Sequence, residues 1–238
     1  MDPQTETLVF FLTLFLVITK IGVVFYLYKK IQAKKQAKVE AGVKFLVAIS
    51  IMILGLLVSR ILFTYFDFVL TKFNENLYGV FPNYVLWKIA MFIATITLVY
   101  LLWVLDKTIM QNKFKGIPAG ITALFIGIAL AFRINGLLDF NSMCLFASVA
   151  YIGSVMIPGV FFYISKESSG EIRRTAFLIG FGILIYAMAT LIVNEAIVSA
   201  TTVSLGFDTR SVLWILSIVI KCVGLSMFAI SSVKFVSE

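Results

Sequence analysis

Apolar residues form seven long runs along the chain, and polar residues collect in the short stretches between them. A helix needs about 20 consecutive apolar residues to cross the hydrocarbon core of a bilayer. The pattern therefore predicts an all-α membrane protein, a single domain over residues 1–238 with seven transmembrane helices. We place these helices at about 7–28, 43–66, 84–105, 117–134, 143–164, 175–198 and 211–232. The sequence is also compatible with a start one turn earlier for the second and the sixth helix.

Composition supports a membrane protein and argues against a soluble one. The chain is 61% hydrophobic and 13% charged, whereas a soluble domain is about 25% charged. The net charge of +8 is distributed as in a membrane protein, so we expect no nucleic-acid partner. The first apolar run lacks the basic start of a cleavable signal peptide, and we expect it to remain as the first helix.

Charge asymmetry between the loops predicts the orientation of the helices. Lys and Arg concentrate in alternate loops on one side, whereas the loops of the other side hold Lys72, Arg133 and Arg210. Basic loops are typically cytoplasmic. We therefore predict a multi-pass protein of the cell membrane with its N-terminus outside and its C-terminus inside. The cytoplasmic loop over 165–174 predicts a helix start at Ser168 or Ser169.

The two halves of the chain share short sequence matches in the same order. "GVVFYLYK" over 22–29 resembles "GVFFYISK" over 159–166, "FL" at 45–46 recurs at 177–178, and Val-Leu-Trp at 85–87 recurs at 212–214. These matches predict a tandem duplication of helices 1–3 as helices 5–7. Helix 4 joins the halves and restores their parallel sense.

This 3+1+3 plan resembles the transporter–opsin–receptor superfamily of seven-helix membrane proteins, which includes SWEET and PQ-loop transporters and microbial rhodopsins. Lys221 matches the retinal-binding lysine of the rhodopsins, and Trp87 matches their tryptophan in helix 3. Leu86 and Ser217 stand where the rhodopsins have aspartates. The resemblance implies two alternatives for function, a small-solute transporter or a retinal protein with a Schiff base at Lys221.

Lys221 is the most unusual side chain of the apolar runs, because it stands in the middle of the last helix. Ser217 is one turn away, and matched depths bring Tyr186, Thr190 and Thr95 near the same level. An uncharged amine in this setting is a nucleophile for an aldehyde. The alternative is a lysine that donates to hydroxyls and backbone carbonyls or faces a wet cavity.

Charged side chains also collect in the outer half of the predicted bundle: Arg60, Lys88, Arg133 and Glu195, with Asn194, Asp67, Asp139 and Asp208. One interpretation is a structural collar of ion pairs. The other is an outward-open polar cavity that binds an anion or a zwitterion, since a low dielectric strengthens such contacts. Lys20, in the first helix, is expected to extend to the inner interface.

These features favour a receptor-type sensor that binds a small ligand from the outer side and signals through an inner-side protein partner. The transporter and the retinal protein are the alternatives. We expect no enzyme, because no paired carboxylates or nucleophile–base couple lies at one depth. The chain has no histidine, and its two cysteines lie in apolar segments, so we expect no metal site and no cofactor apart from the retinal alternative. The sequence leaves the oligomeric state open.

Overall fold

The computed structural model describes residues 3–36, 40–193, 195–205 and 209–237, and within these ranges it contains helices and turns but no strand. The α-helices are α1 (Pro3–Gln36), α2 (Glu40–Tyr65), α3 (Asn83–Thr108), α4 (Ile117–Ala131), α5 (Leu137–Ala150), α6 (Met156–Glu167), α7 (Gly170–Leu191), α8 (Glu195–Leu205) and α9 (Arg210–Phe235). A π-helix over Phe66–Leu70 follows α2, a short 3-10 helix covers Glu75–Leu77, and a second 3-10 helix over Tyr151–Val155 joins α5 to α6. The predicted all-α class is confirmed for the described residues.

Six helical segments of the described chain are long and apolar enough to cross a membrane: Gln4–Gln36, Gly42–Leu70, Asn83–Thr108, Leu137–Glu167, Gly170–Leu191 and Arg210–Phe235. They coincide with six of the seven predicted spans and indicate a multi-pass membrane protein. The remaining predicted span corresponds to α4, which has 15 residues. At 1.5 Å per residue α4 is about 22 Å long, which is less than the ~30 Å of a hydrocarbon core. The seventh span therefore stays a prediction.

The end of the sixth predicted span differs from the structure. The prediction extends this helix to residue 198, but α7 ends at Leu191 and α8 begins separately at Glu195. Ile192 and Val193 keep the hydropathy high through the turn, so the apolar pattern carries no mark of it. The start of the same helix is confirmed, since Ser169 is the N-cap residue of α7.

The fifth predicted span is a composite segment. Leu137–Glu167 is helical throughout, but the 3-10 helix Tyr151–Val155 separates α5 from α6. Pro158 explains the interruption, because proline lacks an N–H and its ring clashes with the carbonyl group four residues earlier. That carbonyl belongs to Ser154, inside the 3-10 helix.

The chain forms two compact units. The first unit comprises Met1–Val23 and Pro158–Glu238, and the second comprises Val24–Ile157. Within the first unit, α7 and α9 have the most extensive contacts, whereas within the second unit α2 packs on α3, and α4 packs on α3 and α5. The apolar core of the second unit includes Phe66 and Met91, and Cys144 packs against it.

Within the second unit, α2 and α3 are in close contact at Gly55. A Cβ atom added to Gly55 would collide with the side chain of Thr97. Thr97 Oγ1 donates to the carbonyl oxygens of Ile93 and Ala94, at 3.1 and 2.9 Å. The threonine is thereby held on its own helix, and glycine leaves the room that it needs.

Within the first unit, α7 and α9 meet backbone to backbone at Gly182 and Gly224. A Cβ atom at Gly182 would lie 2.9 Å from the Gly224 carbonyl oxygen, and one at Gly224 would lie 2.7 Å from the Gly182 carbonyl oxygen. Ser217 Oγ also donates a 2.5 Å hydrogen bond across to the Ala189 carbonyl oxygen. Small residues that permit such an approach are typical of helix contacts in membranes.

Candidate functional site

The predicted site residues divide between the two units. Lys221, Ser217, Tyr186 and Thr190 belong to the first unit, whereas Arg60, Lys88, Arg133 and Thr95 belong to the second. Glu195 is the first residue of α8, but its side chain lies outside the described part of the chain, as do Asn194 and Asp208. The residues predicted for one site thus form two sets.

The contact between α7 and α9 places four of these residues on one helix pair: Lys221, Ser217, Tyr186 and Thr190. Lys221 is partly buried in the middle of α9. Ser217, one turn earlier, is 1% exposed, and its hydroxyl hydrogen is committed to the Ala189 carbonyl. Its oxygen can still accept a hydrogen bond from an amine. Tyr186 belongs to the stretch of α7 that faces α9, because its backbone nitrogen would lie 2.9 Å from a Cβ atom at Gly224.

The two predicted threonines make hydrogen bonds within their own helices. Thr190 is exposed, and its Oγ1 donates to the Tyr186 carbonyl oxygen at 3.1 Å. Thr95 is buried, and its Oγ1 donates to the Met91 carbonyl oxygen at 2.9 Å. Such bonds to the preceding turn are common for threonine in helices, so the hydroxyl hydrogens of both residues already have acceptors.

Lys20 on α1 is a second amine inside the first unit. Its side chain is 2% exposed, so the expectation that it extends to the inner interface is wrong. Cys222 Sγ donates a 3.8 Å hydrogen bond to Oγ1 of the neighbouring Thr19, and the Lys20 amine lies close enough to act electrostatically on that thiol. We call Thr19, Lys20, Lys221 and Cys222 the amine cluster, since Thr19 contacts Cys222 and each lysine is the chain neighbour of one of these two residues.

Helical spacing explains the burial of Lys20. The buried residues of α1 include Val9, Thr13, Leu16 and Leu27. Their spacings of four, three and eleven residues, about one turn, one turn and three turns, place side chains on one face of a helix. Lys20 continues this series, being four residues after Leu16 and seven before Leu27. The sequence alone does not show this stripe, because the exposed faces of α1 are equally apolar and include Leu8, Phe11 and Ile18.

In the second unit, Lys88 holds the end of α4 against α3. Lys88 Nζ donates hydrogen bonds to the carbonyl oxygens of Leu130 at 2.9 Å and Phe132 at 2.6 Å. The last carbonyl groups of a helix lack partners within it, and a lysine there also favours the negative end of the helix dipole. The lysine that was predicted for a ligand cavity thus has a structural role.

Other charged residues of the second unit also make local contacts. Arg60 acts electrostatically on Asp67, and Asp139 Oδ2 accepts a 2.9 Å hydrogen bond from the Asn135 backbone. Arg133 is exposed. Within this unit, these contacts favour the structural collar over the polar cavity.

Asp106, at the end of α3, is a buried carboxylate outside the predicted site. It is 1% exposed, and it accepts hydrogen bonds from the backbone nitrogens of Phe114 at 3.0 Å and Gly116 at 2.7 Å. The loop that these bonds fix has positive φ angles at Gln111, Asn112 and Lys115. Each such residue costs about 1 kcal/mol or more, and the carboxylate helps to offset this cost. Its sequence signal is an acidic residue at the end of an apolar run, before a loop of Lys and Gly.

Two cavities lie between α7 and α9. One has a volume of about 370 Å³ and is lined by apolar side chains: Ile185, Met188, Ile192, Val219, Ile220 and Val223. The other, of about 180 Å³, lies near the start of α7 and the end of α9 and has charged side chains at its rim. Among the described residues, no group of three or more His, Cys, Asp or Glu side chains could hold a metal ion.

Comparison with known proteins finds no family model, curated protein or solved structure that matches the chain. What the protein does is therefore inferred from its own residues.

Proposed function

We propose that the protein is a membrane receptor module. It binds a small anionic or zwitterionic ligand, entering from the predicted outer side, through the amine cluster of the first unit. It passes a helix rearrangement to a protein partner on the predicted cytoplasmic side. The cationic form of a lysine attracts an anion strongly at low dielectric, which suits this ligand class.

Lys221 carries the proposal, because a corresponding helix of the same chain lacks it. α3 and α9 both have 26 residues. When their sequences are aligned from end to end, Asn83 corresponds to Arg210 and Thr108 corresponds to Phe235. We call this correspondence the helix alignment. It places Ala94, which is 3% exposed, against Lys221. A helix of this design therefore packs without a lysine there, and an amine retained inside a membrane bundle is a functional candidate by default.

The α7–α9 pair offers a stiff connection from this amine to the membrane surface. Gly182 and Gly224 bring the two backbones into contact, and the hydrogen bond from Ser217 adds a second tie. A ligand at Lys221 would displace α7 and α9 together. At the far end of the pair, the first turn of α7 is exposed, and a partner on the predicted cytoplasmic side can contact it.

Transport of a small polar solute is the second candidate, and the correspondence between helix pairs favours it. The equal lengths of α3 and α9, with Val-Leu-Trp near the start of each helix, support the predicted tandem duplication. Duplicated halves that rock against each other are a common design in small transporters.

Ligand-induced stabilisation of the purified protein tests the proposal, with free amino acids, dicarboxylates and nucleotides as probes. A ligand at 100 times its Kd stabilises a protein by about 2.7 kcal/mol. We expect one of these classes to raise the Tm of the wild-type protein but not that of Lys221→Ala. Lys107→Ala is the matched control, because Lys107 is an exposed lysine in the last turn of α3.

The outcomes separate the candidates. A shift that requires Lys221, for a compound that does not accumulate in proteoliposomes, supports the receptor. Accumulation above the level of protein-free vesicles supports the transporter instead. An absorption band that forms with all-trans retinal and is lost in Lys221→Ala identifies the retinal alternative. A set of probes without any Lys221-dependent effect overturns the proposed role of this lysine.

A further inference from the structure

The smaller cavity between α7 and α9 is a cleft that opens at one end of the helix pair. It has a volume of about 180 Å³ and is lined by Glu171, Arg174, Thr175, Leu178, Met227, Ile230, Ser231 and Lys234. The first of these residues lie in the opening turns of α7, and Lys234 lies in the last turn of α9. Since both helices are long enough to cross a membrane, we expect the mouth of the cleft at the level of the lipid headgroups.

The cleft has a charged rim and an apolar floor. Arg174 and Lys234 supply positive charge from opposite helices, and both are exposed. The floor is formed by Leu178, Met227 and Ile230. The charged side chains lie nearer the ends of the two helices than the apolar ones do. A phospholipid has the same order, with its phosphate at the interface and its acyl chains deeper in the membrane. Basic pockets between transmembrane helices bind anionic headgroups for the same reason.

The acidic residue at the rim does not prevent such binding. Glu171 Oε1 lies 3.8 Å from an Arg174 guanidinium nitrogen, and the two side chains are 58% and 74% exposed. An exposed ion pair of this kind contributes little to stability, so a phosphate can displace the glutamate. The start of α7 adds the positive end of a helix dipole on the same side.

We propose that this cleft binds an anionic phospholipid, with the phosphate between Arg174 and Lys234 and an acyl chain over Leu178, Met227 and Ile230. The lipid ties the ends of α7 and α9 to the membrane surface. Its presence would therefore bias the position of the helix pair that carries Lys221. This site is separate from the amine cluster, so either one can fail without the other.

The α2–α3 pair suggests a substitution that would fill the cleft between α7 and α9. In the helix alignment, Met227 and Ile230 correspond to Tyr100 and Trp103 of α3, whose rings stack with centroids 6.4 Å apart. Lys234 corresponds to Lys107. Ile230→Trp therefore introduces a side chain that the related helix already has at this place, and it leaves every charge of the rim unchanged.

Native mass spectrometry of the purified full chain tests the proposal, with phosphatidylglycerol and phosphatidylcholine of identical acyl chains as probes. We expect phosphatidylglycerol to be retained preferentially. Because each basic residue near a membrane surface contributes about 1 kcal/mol to the attraction of anionic lipid, we expect Arg174→Gln and Lys234→Gln each to weaken retention about fivefold. We expect Ile230→Trp to weaken it by a similar factor. Arg173→Gln is the control, since Arg173 is an exposed neighbour that does not line the cleft.

Three results would overturn the proposal. A loss in Arg173→Gln equal to that in Arg174→Gln would show general surface charge. Equal retention of phosphatidylcholine would show an acyl groove without headgroup selection. Complete displacement of phosphatidylglycerol by inorganic phosphate, at a concentration that leaves ionic strength matched to a chloride control, would show a free-anion site instead.

Discussion

α2 and α3 of the second unit meet where Gly55 faces Thr97, whereas α7 and α9 of the first unit meet where Gly182 faces Gly224. The helix alignment places Thr97 against Gly224, and the same shift along the chain places Gly55 against Gly182, five residues out of register with the FL match of 45–46 and 177–178. In the second unit a glycine accommodates a side chain, and in the first unit two glycines bring backbones together. If α7 and α9 repeat α2 and α3, the two copies differ at the contact itself.

The buried faces of the two pairs correspond as well. Buried residues of α3 align with buried residues of α9: Ala90, Met91, Leu98, Leu101 and Leu102 with Ser217, Ile218, Leu225, Phe228 and Ala229, in that order. On the partner helices, Met52 and Ile53 of α2 are buried, and so are Ile179 and Gly180, which align with them on α7. Burial shared under one alignment is expected if both pairs inherited one packing plan.

The two buried faces carry their polar groups at different positions. Where α3 has Ala90, Val104 and Leu105, α9 has Ser217, Ser231 and Ser232. A hydroxyl group without a partner is costly in an apolar setting, and Ser232 Oγ meets this need by donating to the Phe228 carbonyl oxygen at 2.7 Å. Conversely, buried Thr95 and Asp106 of α3 correspond to Cys222 and Val233 of α9, so each helix pair has buried polar groups of its own.

The largest expected effect comes from Gly224→Leu. Its Cβ atom would lie 2.7 Å from the Gly182 carbonyl oxygen and 2.9 Å from the Tyr186 nitrogen, and backbone atoms cannot rotate away. We expect the free energy of unfolding to fall by about 3 kcal/mol or more, as measured by denaturant unfolding in detergent. Gly22→Leu is the control, because a Cβ atom there meets nothing within 4 Å. Equal losses in the two variants would remove the backbone contact from the comparison.

The second largest effect is expected for Asp106→Asn. This variant tests a difference between the ends of α3 and α9, because Val233 of α9 corresponds to Asp106 in the helix alignment. An asparagine has one acceptor oxygen, so one of the two backbone nitrogens of the loop loses its partner. We expect a loss of about 2 kcal/mol and faster proteolysis within residues 109–116. Asp139→Asn is the control, since Asp139 accepts a single described backbone hydrogen bond. A loop that is cleaved at the wild-type rate in Asp106→Asn would show that the carboxylate does not fix it.

A smaller effect is expected at Gly55, and the first unit predicts how to reverse it. Gly55→Ala forces its Cβ atom against Thr97, at a cost of about 1 to 2 kcal/mol. Thr97→Gly places a glycine on α3 where the helix alignment has Gly224 on α9. We therefore expect the double variant to recover about 1 kcal/mol of unfolding free energy, which is the coupling energy between the two positions. A double-mutant cycle of unfolding free energies measures this term. Strict additivity would mean that the two positions do not contact each other.

The smallest effect on stability is expected for Lys221→Ala. The corresponding Ala94 is buried in α3, and removal of a half-buried amine from a membrane helix relieves a desolvation cost. We expect the unfolding free energy to change by less than about 1 kcal/mol. Lys88→Ala is the contrasting variant, because it deprives α4 of two hydrogen bonds and should cost about 2 kcal/mol or more. A larger loss of unfolding free energy in Lys221→Ala than in Lys88→Ala would show that Lys221 stabilises the fold.

Hydropathy is sufficient to locate the six long apolar helices, because crossing a membrane demands a continuous apolar run. It does not locate the end of α7, where Ile192 and Val193 are as apolar as the helix before them. It also overestimates α4, since apolar residues continue through Phe132 and Ile134 after the helix ends at Ala131. Hydropathy records the environment of a segment, whereas helix ends depend on local hydrogen bonding such as that of Lys88.

The candidate site is less accessible to sequence reasoning than the fold. The unusual position of Lys221 is visible directly, but its relation to Lys20 requires the contact between Thr19 and Cys222, which are distant in sequence. The loop function of Asp106 depends in the same way on the backbone conformation of residues that follow it. Sequence thus identifies charged side chains whose burial in an apolar segment costs free energy. The three-dimensional structure shows which of them stabilise the fold and which of them the fold does not need.

Cys144 and Cys222 have a consequence beyond their packing. They are the two cysteines of the chain, both have free thiols, and one lies in each compact unit. A thiol-specific spin label or fluorophore on the wild-type protein would therefore mark each unit once. Displacement of one unit against the other could then be followed as a single distance, without any engineered attachment point.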